Sequence, residues 1–267
     1  MGRLEDLRIV DPVLTTLARG YSNAQLVADA LFPFAVVEKE AGKIPQFWKE
    51  AFKIYNTERA LRAKSNRISP EGMSTIDFVC DEHDLEYPVD YRESEESMFP
   101  LEEHATTVVT EGVRLRHEKK CADLAQTAGN YPTGNKITLS GTSQFTNAAS
   151  NPIGVIEDAK DGVRAKIGKR PNVMVIGALS FKALKNHAQL IERIKYSMTG
   201  VVTVELMKQI FGITNIVVGE AVYASDAGVF SDIWADNCIL AYVPGVSPQS
   251  ERTPYEPSFA YTLRKRG

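Results

Sequence analysis

The stretch that decides the fold is LEEHATTVVTEGVRLRHEKKCADLAQ, residues 101–126. Leu101, Ala105, Val108, Gly112, Leu115 and Ala122 recur at helical spacing, with Val109 and Val113 beside them, and Pro100 opens the run. Glu102 and Glu103 stand in the first turn, and Arg114, Arg116, Lys119 and Lys120 follow later, the order the helix dipole favours. At 1.5 Å per residue the helix runs roughly 40 Å. That length suits a spine better than a packing helix of a small domain.

Working outward on the N-terminal side, the texture from Val36 to Glu82 is of β type, in the segments VVEKE, KIPQFWK, AFKIYN and MSTIDFVCDEHDLEYPV. They are interrupted by TERALRAKSNRISPEG, residues 57–72, which holds Arg59, Arg62, Lys64 and Arg67 and has no apolar periodicity. This reads as a basic loop at the tip of a two-stranded arm from about Gly42 to Thr75. Such an arm reaches on the order of 50 Å at about 3.3 Å per residue. A monomer has little use for it. Before it, Asp11 with Pro12 and Ser22 with Gln25 open two short helices, stopped by Gly20 and Pro33. Their apolar set, including Leu14, Leu17, Leu26 and Phe32, is too small for a core and is expected to pack elsewhere, with a second subunit as one option.

On the C-terminal side, Asn151 and Pro152 cap a helix ending at Gly168, whose inward face is expected at Ile156, Ala159, Val163 and Ile167. A buried-type strand follows at 172–176. Ser180 is expected to cap a helix with Leu184, His187, Leu190, Ile191 and Ile194 inward. Thr203 and Gly212 bracket another helix, and NIVVGEAVY, CILAYVPG and SFAYTLRKRG read as strands.

Composition narrows the function. Lys plus Arg is 31 against 34 for Asp plus Glu in 267 residues, a formal charge of -3, which gives no excess for neutralising phosphates. Three scattered cysteines, Cys80, Cys121 and Cys238, argue for a reducing compartment. Residues 1–10 lack an apolar core, so no signal peptide or anchor is expected, and no stretch approaches the roughly 20 apolar residues of a membrane span.

Catalytic motifs fail on residue types. VMVIGALSFKALKNH (173–187) has a strand, turn and helix layout but no GxGxxG, no GxxxxGK[ST] and no GxSxG. Cys80 and His83 fall on opposite strand faces, and the other histidines, His104, His117 and His187, show no HExxH pairing, so no metal site is expected. His187 on an apolar face reads as a satisfied core histidine. The acids Asp81, Glu82, Asp84, Glu93, Glu95 and Glu96 read as solvated faces, or as partners for the basic loop of a neighbouring subunit. No catalytic, cofactor-binding or metal-binding residue is expected.

DPVLTTLARGYSNAQLVADALFP (11–33), VVEKEAGKIPQFWKEAF (36–52), RPNVMVIGALSFKALKNHAQLIERIK (170–195) and FGITNIVVGEAVY (211–223) resemble the major capsid proteins of tailed bacteriophages. The resemblance covers most of the chain. It implies an α+β fold of the Hong Kong 97 type: an N-terminal arm at 1–35, an extended loop at 36–78, a peripheral domain with the spine helix at 79–130, an axial domain at 131–245, and a return to the peripheral domain at 246–267. Members of that family continue past the equivalent of YTLRKRG, so the return is expected to be cut short. The implied function is self-assembly into the pentamers and hexamers of an icosahedral shell around double-stranded DNA. Arg59, Arg62, Lys64 and Arg67 would then lie on a neighbour, and portal and scaffold proteins would be further partners, with no membrane and no small-molecule substrate. The implied location is the virion capsid, assembled in the bacterial cytoplasm. No lysine to asparagine crosslink is carried over, because nothing pins a partner for Lys64. Two rivals stay open on the residues alone: an encapsulin-like shell around a protein cargo, and a soluble α/β enzyme using the VMVIGALS turn.

Overall fold

A computed structural model describes residues 23, 25–46, 52–68, 74–98, 100–195, 202–245 and 254–266. Its centre is a three-stranded sheet of β4 (Val173–Gly177), β5 (Asn215–Gly219) and β8 (Cys238–Ala241), in the order β5-β4-β8. β4 runs parallel to β5 and antiparallel to β8. All five residues of β4 are buried, because the sheet is covered on both faces. Alternation along the strand sorts the side chains into two cores. Val173, Val175, Ile239 and Ala241 face one, and Met174, Ile176 and Ile216 face the other.

The second core is closed by four helices: α4 (Pro152–Ile167), α5 (Ala178–Lys185), α6 (Ala188–Ile194) and α7 (Val204–Phe211). Their ends follow the expected capping chemistry at two places. Asn151 accepts the Gly154 N–H at 3.0 Å and Gly168 closes α4 at φ 70°, where a side chain would be strained. Thr203 accepts the Leu206 N–H at 3.4 Å, and Gly212 closes α7 at φ 61°.

Two expectations about these helices are corrected. The buried face of α4 is Ile153, Ile156 and Lys160, and Ile167 is exposed. Lys160 wins its place because its ammonium donates to the Phe211 carbonyl at the end of α7, with Glu157 beside it at 2.7 Å. That bond satisfies an orphan carbonyl with a cation, which a neighbouring alanine or valine cannot do. The expected single helix from Ser180 is instead two. α5 starts at Ala178 with Gly177 as its cap, Ser180 lies inside it and donates to the Asp236 carbonyl, and the chain breaks before α6 at His187. Leu184, Leu190 and Ile194 are inward, while Ile191 is exposed.

The first core is closed by the 26-residue α3 (Leu101–Gln126) and by α1 (Ala28–Leu31). α3 has the predicted bounds but changes its buried side along its length. Its first half buries Leu101 and Ala105 and lets Leu85 approach Gly112, where an added Cβ would lie 2.8 Å from the leucine methyl. Its last half buries Glu118, Cys121, Ala122 and Ala125, on nearly the opposite face. Val108, expected in the stripe, and Val113, expected beside it, are exposed between these two contacts.

Smaller pairs complete the architecture. β1 (Phe34–Val37) runs parallel to β9 (Thr262–Lys265), β2 (Ala41–Gln46) pairs antiparallel with β3 (Ser74–Val79), and β6 (Val222–Ala224) pairs with β7 (Phe230–Asp232). α2 (Tyr91–Glu96) leads into α3. The mixture of helical layers and mostly antiparallel strand pairs is an α+β fold.

Candidate assembly surfaces

The β2–β3 pair forms a hairpin stem whose register runs from Ala41 opposite Val79 to Gln46 opposite Ser74. Gly42 lies under the Phe78 ring, where a Cβ would meet it at 2.9 Å. The strand expected in AFKIYN is not formed at 53–56, which lack regular structure. Among the described residues no strand pairs with it. The Phe52 ring rests against Gly168, at the end of α4.

Beyond Phe52 the chain closes on itself through side chains. Asn66 donates to the Asn56 and Glu58 carbonyls at 2.8 and 3.0 Å, and Arg59 donates to the Ala63 carbonyl at 2.8 Å. Arg62 sits at φ 65°, in the left-handed region that completes the turn. Arg59, Arg62, Lys64 and Arg67 are all exposed, and among the described residues none has an acidic partner. Apolar side chains share this exposure: Ile54 is 97% and Leu61 93% accessible. A side chain so exposed gains nothing from its own fold.

The six acids are divided among separate places. Asp81, Glu82 and Asp84 follow β3 in an irregular exposed run, and Asp81 lies 3.8 Å from Lys120 of α3. Glu95 and Glu96 are exposed on α2, whereas Glu93 is buried there. α2 is capped by Asp90, which accepts the Arg92 N–H at 2.9 Å.

Of the N-terminal packing residues, Leu14 and Leu17 lie outside the described residues. Phe32 is buried and Leu26 half-buried, both in the first core of their own chain, together with Val27, Ala28 and Leu31. The small apolar set thus packs on other elements, and those elements belong to its own chain. The core it joins is made by α3 and the sheet.

This segment is held by a side chain 91 residues along the chain. α1 has no side-chain cap of its own. Instead Glu118, 1% exposed, accepts the Val27 N–H at 2.9 Å and the Ala28 N–H at 2.9 and 3.1 Å, and also the Trp234 indole N–H at 2.7 Å. One signal was available: Glu118 stands between Leu115 and Ala122 at i+3 and i−4, an acid in the apolar stripe. Trp234 in turn is accommodated by two glycines that are register partners, Gly177 and Gly219. A Cβ on Gly177 would lie 1.8 Å from the Ala235 carbonyl oxygen, and one on Gly219 would lie 2.3 Å from the indole. The glycine of the VMVIGALS turn therefore makes room for a tryptophan loop.

Titratable groups elsewhere have structural partners. His187 is buried, its Nδ1 accepts the Gln189 N–H at 3.1 Å, and Nε2 faces the Asn147 carbonyl and Ser150 hydroxyl, each at 3.1 Å. With Nδ1 accepting, Nε2 carries the proton. Burial pushes the Cys121 thiol up to about 11 and that of Cys238 up to about 12. Among the described residues no three metal-ligating side chains cluster, and no helix is long and apolar enough to cross a membrane.

Comparison with known proteins adds kinship. The sequence profile of the family described as phage major capsid protein E matches residues 33–262. The major capsid protein of Burkholderia phage BcepMu is 61% identical over 267 residues, covering 100% of this chain and 87% of that protein. The major capsid protein of Pseudomonas phage JBD67 is 31% identical over 221 residues, covering 79% of this chain and 69% of that protein. The crystal structure of a phage-related protein from Bordetella bronchiseptica RB50 superposes with a TM-score of 0.71 at 34% identity, over 96% of this chain and 83% of that one.

Proposed function

The chain belongs to the phage major capsid protein E family, a family of structural capsid proteins, and we propose that it assembles with copies of itself into the pentamers and hexamers of an icosahedral shell around double-stranded DNA. One observation carries the self-association: loop 52–68, between the two strands of a hairpin stem, holds Ile54 and Leu61 almost wholly in water and four cations that lack an acidic partner among the described residues. Apolar groups exposed together on a loop mark a surface for contact outside the subunit. In this reading the loop lies on a neighbouring copy, with Arg59, Arg62, Lys64 and Arg67 facing acids of that copy. Asp81, Glu82, Asp84, Glu95 and Glu96 are the candidates with exposed carboxylates, and buried Glu93 supports α2 from within.

The architecture proposed is of the Hong Kong 97 type. α3 is the spine of a peripheral domain at 79–130, the sheet around β4 and the second core belong to an axial domain at 131–245, the first core joins that sheet to α1 and α3, residues 36–78 form the extended loop, and 1–35 and 246–267 are the N-terminal arm and the return segment. The parallel pairing of β1 with β9 supports the return, since it brings residues 262–265 back beside the start of the loop. Assembly in the bacterial cytoplasm, with portal and scaffold proteins as partners, follows from the same reading.

Electron microscopy of the purified full chain, alone and with an added scaffold, tests the proposal. Closed particles of uniform diameter are expected. A chain that stays monomeric at high concentration under both conditions would overturn it, and closed shells that retain a protein cargo while excluding DNA would favour an encapsulin-like container.

A further inference from the structure

α3 buries one face in its first half and nearly the opposite face in its second, and between them runs a line of side chains turned to solvent. Glu102, Thr106, Val109, Val113, Arg116 and Lys120 follow one another at spacings of three and four, so they share one stripe of the helix. Val113 is 36% exposed, Val109 is half-buried and the four polar residues are exposed. The neighbours of α3 approach beside this stripe. Leu85 meets the helix at Gly112, the Tyr87 ring at His104, and the Phe34 ring stacks on His117 at 5.4 Å.

The stripe is ordered by charge: an acid at its start, valines in the middle, cations at its end. Among the described residues neither Glu102 nor Arg116 has an ion-pair partner, and Lys120 stands 3.8 Å from Asp81 with both side chains more than half exposed. The helix dipole favours Glu102 in the first turn, but its reach ends within one turn of each terminus. Arg116 and Lys120 lie well before the last turn, which carries no cation. The dipole therefore does not account for them.

We propose that this stripe is a contact between two copies of the chain, with α3 of one lying antiparallel against α3 of the other about a two-fold axis at the level of Glu111. In that register Glu102 stands opposite Lys120, Thr106 opposite Arg116 and Val109 opposite Val113, and the two-fold repeats each pair. A parallel pair would set Glu102 against Glu102 and cations against cations, so charge selects the antiparallel one. The inference rests on the self-assembly reading and adds a contact separate from loop 52–68. The seam is roughly 27 Å long at 1.5 Å per residue and brings two valines from each copy. That is well short of the roughly 1,200 Å² that a stable complex buries, so the contact belongs to a lattice in which many such pairs act together.

Two sets of full-length variants test it. Glu102→Lys and Lys120→Glu each create two like-charge pairs per contact, and each is expected to lower the yield of closed shells about tenfold at about 0.05 M salt, with Tm little changed. The double variant exchanges the charges and is expected to restore the yield to near that of wild type. Independently, Val109→Cys combined with Val113→Cys is expected to give disulfide-linked dimers on oxidation of assembled particles, beyond the wild-type level, while either change alone gives none. Should the charge variants fail to fold, the cysteine pair decides. Singles that assemble normally, a double variant no better than the singles, or cross-linking from one cysteine change alone would overturn the antiparallel contact, as would shells whose double-cysteine chains never cross-link. If wild type forms no shells at all, the self-assembly reading falls. Cross-linked dimers of the double-cysteine chain at high concentration would then still support the helix pair, and their absence would remove it too.

Discussion

Gly177 shows what a single residue decides. Its Cβ would occupy the position of the Ala235 carbonyl oxygen, 1.8 Å away, and backbone on both sides leaves nothing flexible to yield. Gly177→Ala is therefore expected to cost about 3 kcal/mol, at the upper end for overpacking, lowering Tm by about 10 °C; thermal unfolding followed by circular dichroism checks it. The two raised thiols make a second residue-scale prediction. Cys121 and Cys238 hold their protons in the folded state at pH values where the unfolded chain, with thiols near 8.5, has lost them. Their contribution to stability is thus complete below about pH 8.5 and is lost as pH rises toward the folded values. Tm is expected to decline from about pH 9 upward, less steeply in Cys238→Ala, and native protein at pH 8 should alkylate at buried Cys121 only as fast as it unfolds. Neither role was legible in the sequence. A cysteine's burial and a glycine's neighbour depend on residues far along the chain, and Glu118 and Lys160 likewise find their partners 91 and 51 residues away.

At the scale of elements, local signals were read well where the chain supplies its own partners. The bounds of α3 and the caps of α4 and α7 follow from residues within one turn of each helix end. Signals that need a tertiary partner were read less well. AFKIYN has strand composition, yet among the described residues β2 pairs with β3, and 53–56 form no strand. The stripe of α3 was expected on one face because periodicity assumes one packing partner; the helix has two, on opposite faces of its two halves. Ser180 has cap chemistry, but Gly177, closely approached by the Ala235 carbonyl, is where the strand turns into α5. The loop yields the element-scale prediction. Replacing Arg59, Arg62 and Arg67 together by Glu reverses three charges that touch no acid among the described residues, so circular dichroism and Tm are expected to change little. Only the Arg59 bond to the Ala63 carbonyl is lost. Assembly, followed by sedimentation, is expected to fall sharply, because like charges would then face the acids of a neighbour. Normal shells from this triple variant would remove the electrostatic role of the loop.

For the whole molecule the question is which exposed feature supplies affinity and which supplies order. Each exposed ion pair is worth less than about 1 kcal/mol and is screened beyond roughly 10 Å at 0.1 M salt. Burying the side chains of Ile54 and Leu61 contributes about 25 cal/mol per Å² and is insensitive to screening. Affinity between subunits should therefore come from the apolar groups of the loop, while its charges steer the encounter and fix register. The two contributions separate experimentally. Raising sodium chloride from about 0.05 to about 0.5 M is expected to slow assembly, read by light scattering, while leaving the final yield of shells nearly constant. Ammonium sulfate at equal ionic strength, which strengthens apolar burial, is expected to raise that yield. In a variant with Ile54 and Leu61 both changed to Ser, the yield should collapse at every salt concentration although the subunit keeps its Tm, since neither residue is buried in its own fold. A yield that instead follows sodium chloride and ignores the two serines would assign affinity to the ion pairs. It would also make the near balance of 31 basic against 34 acidic residues a matter of pairing between copies.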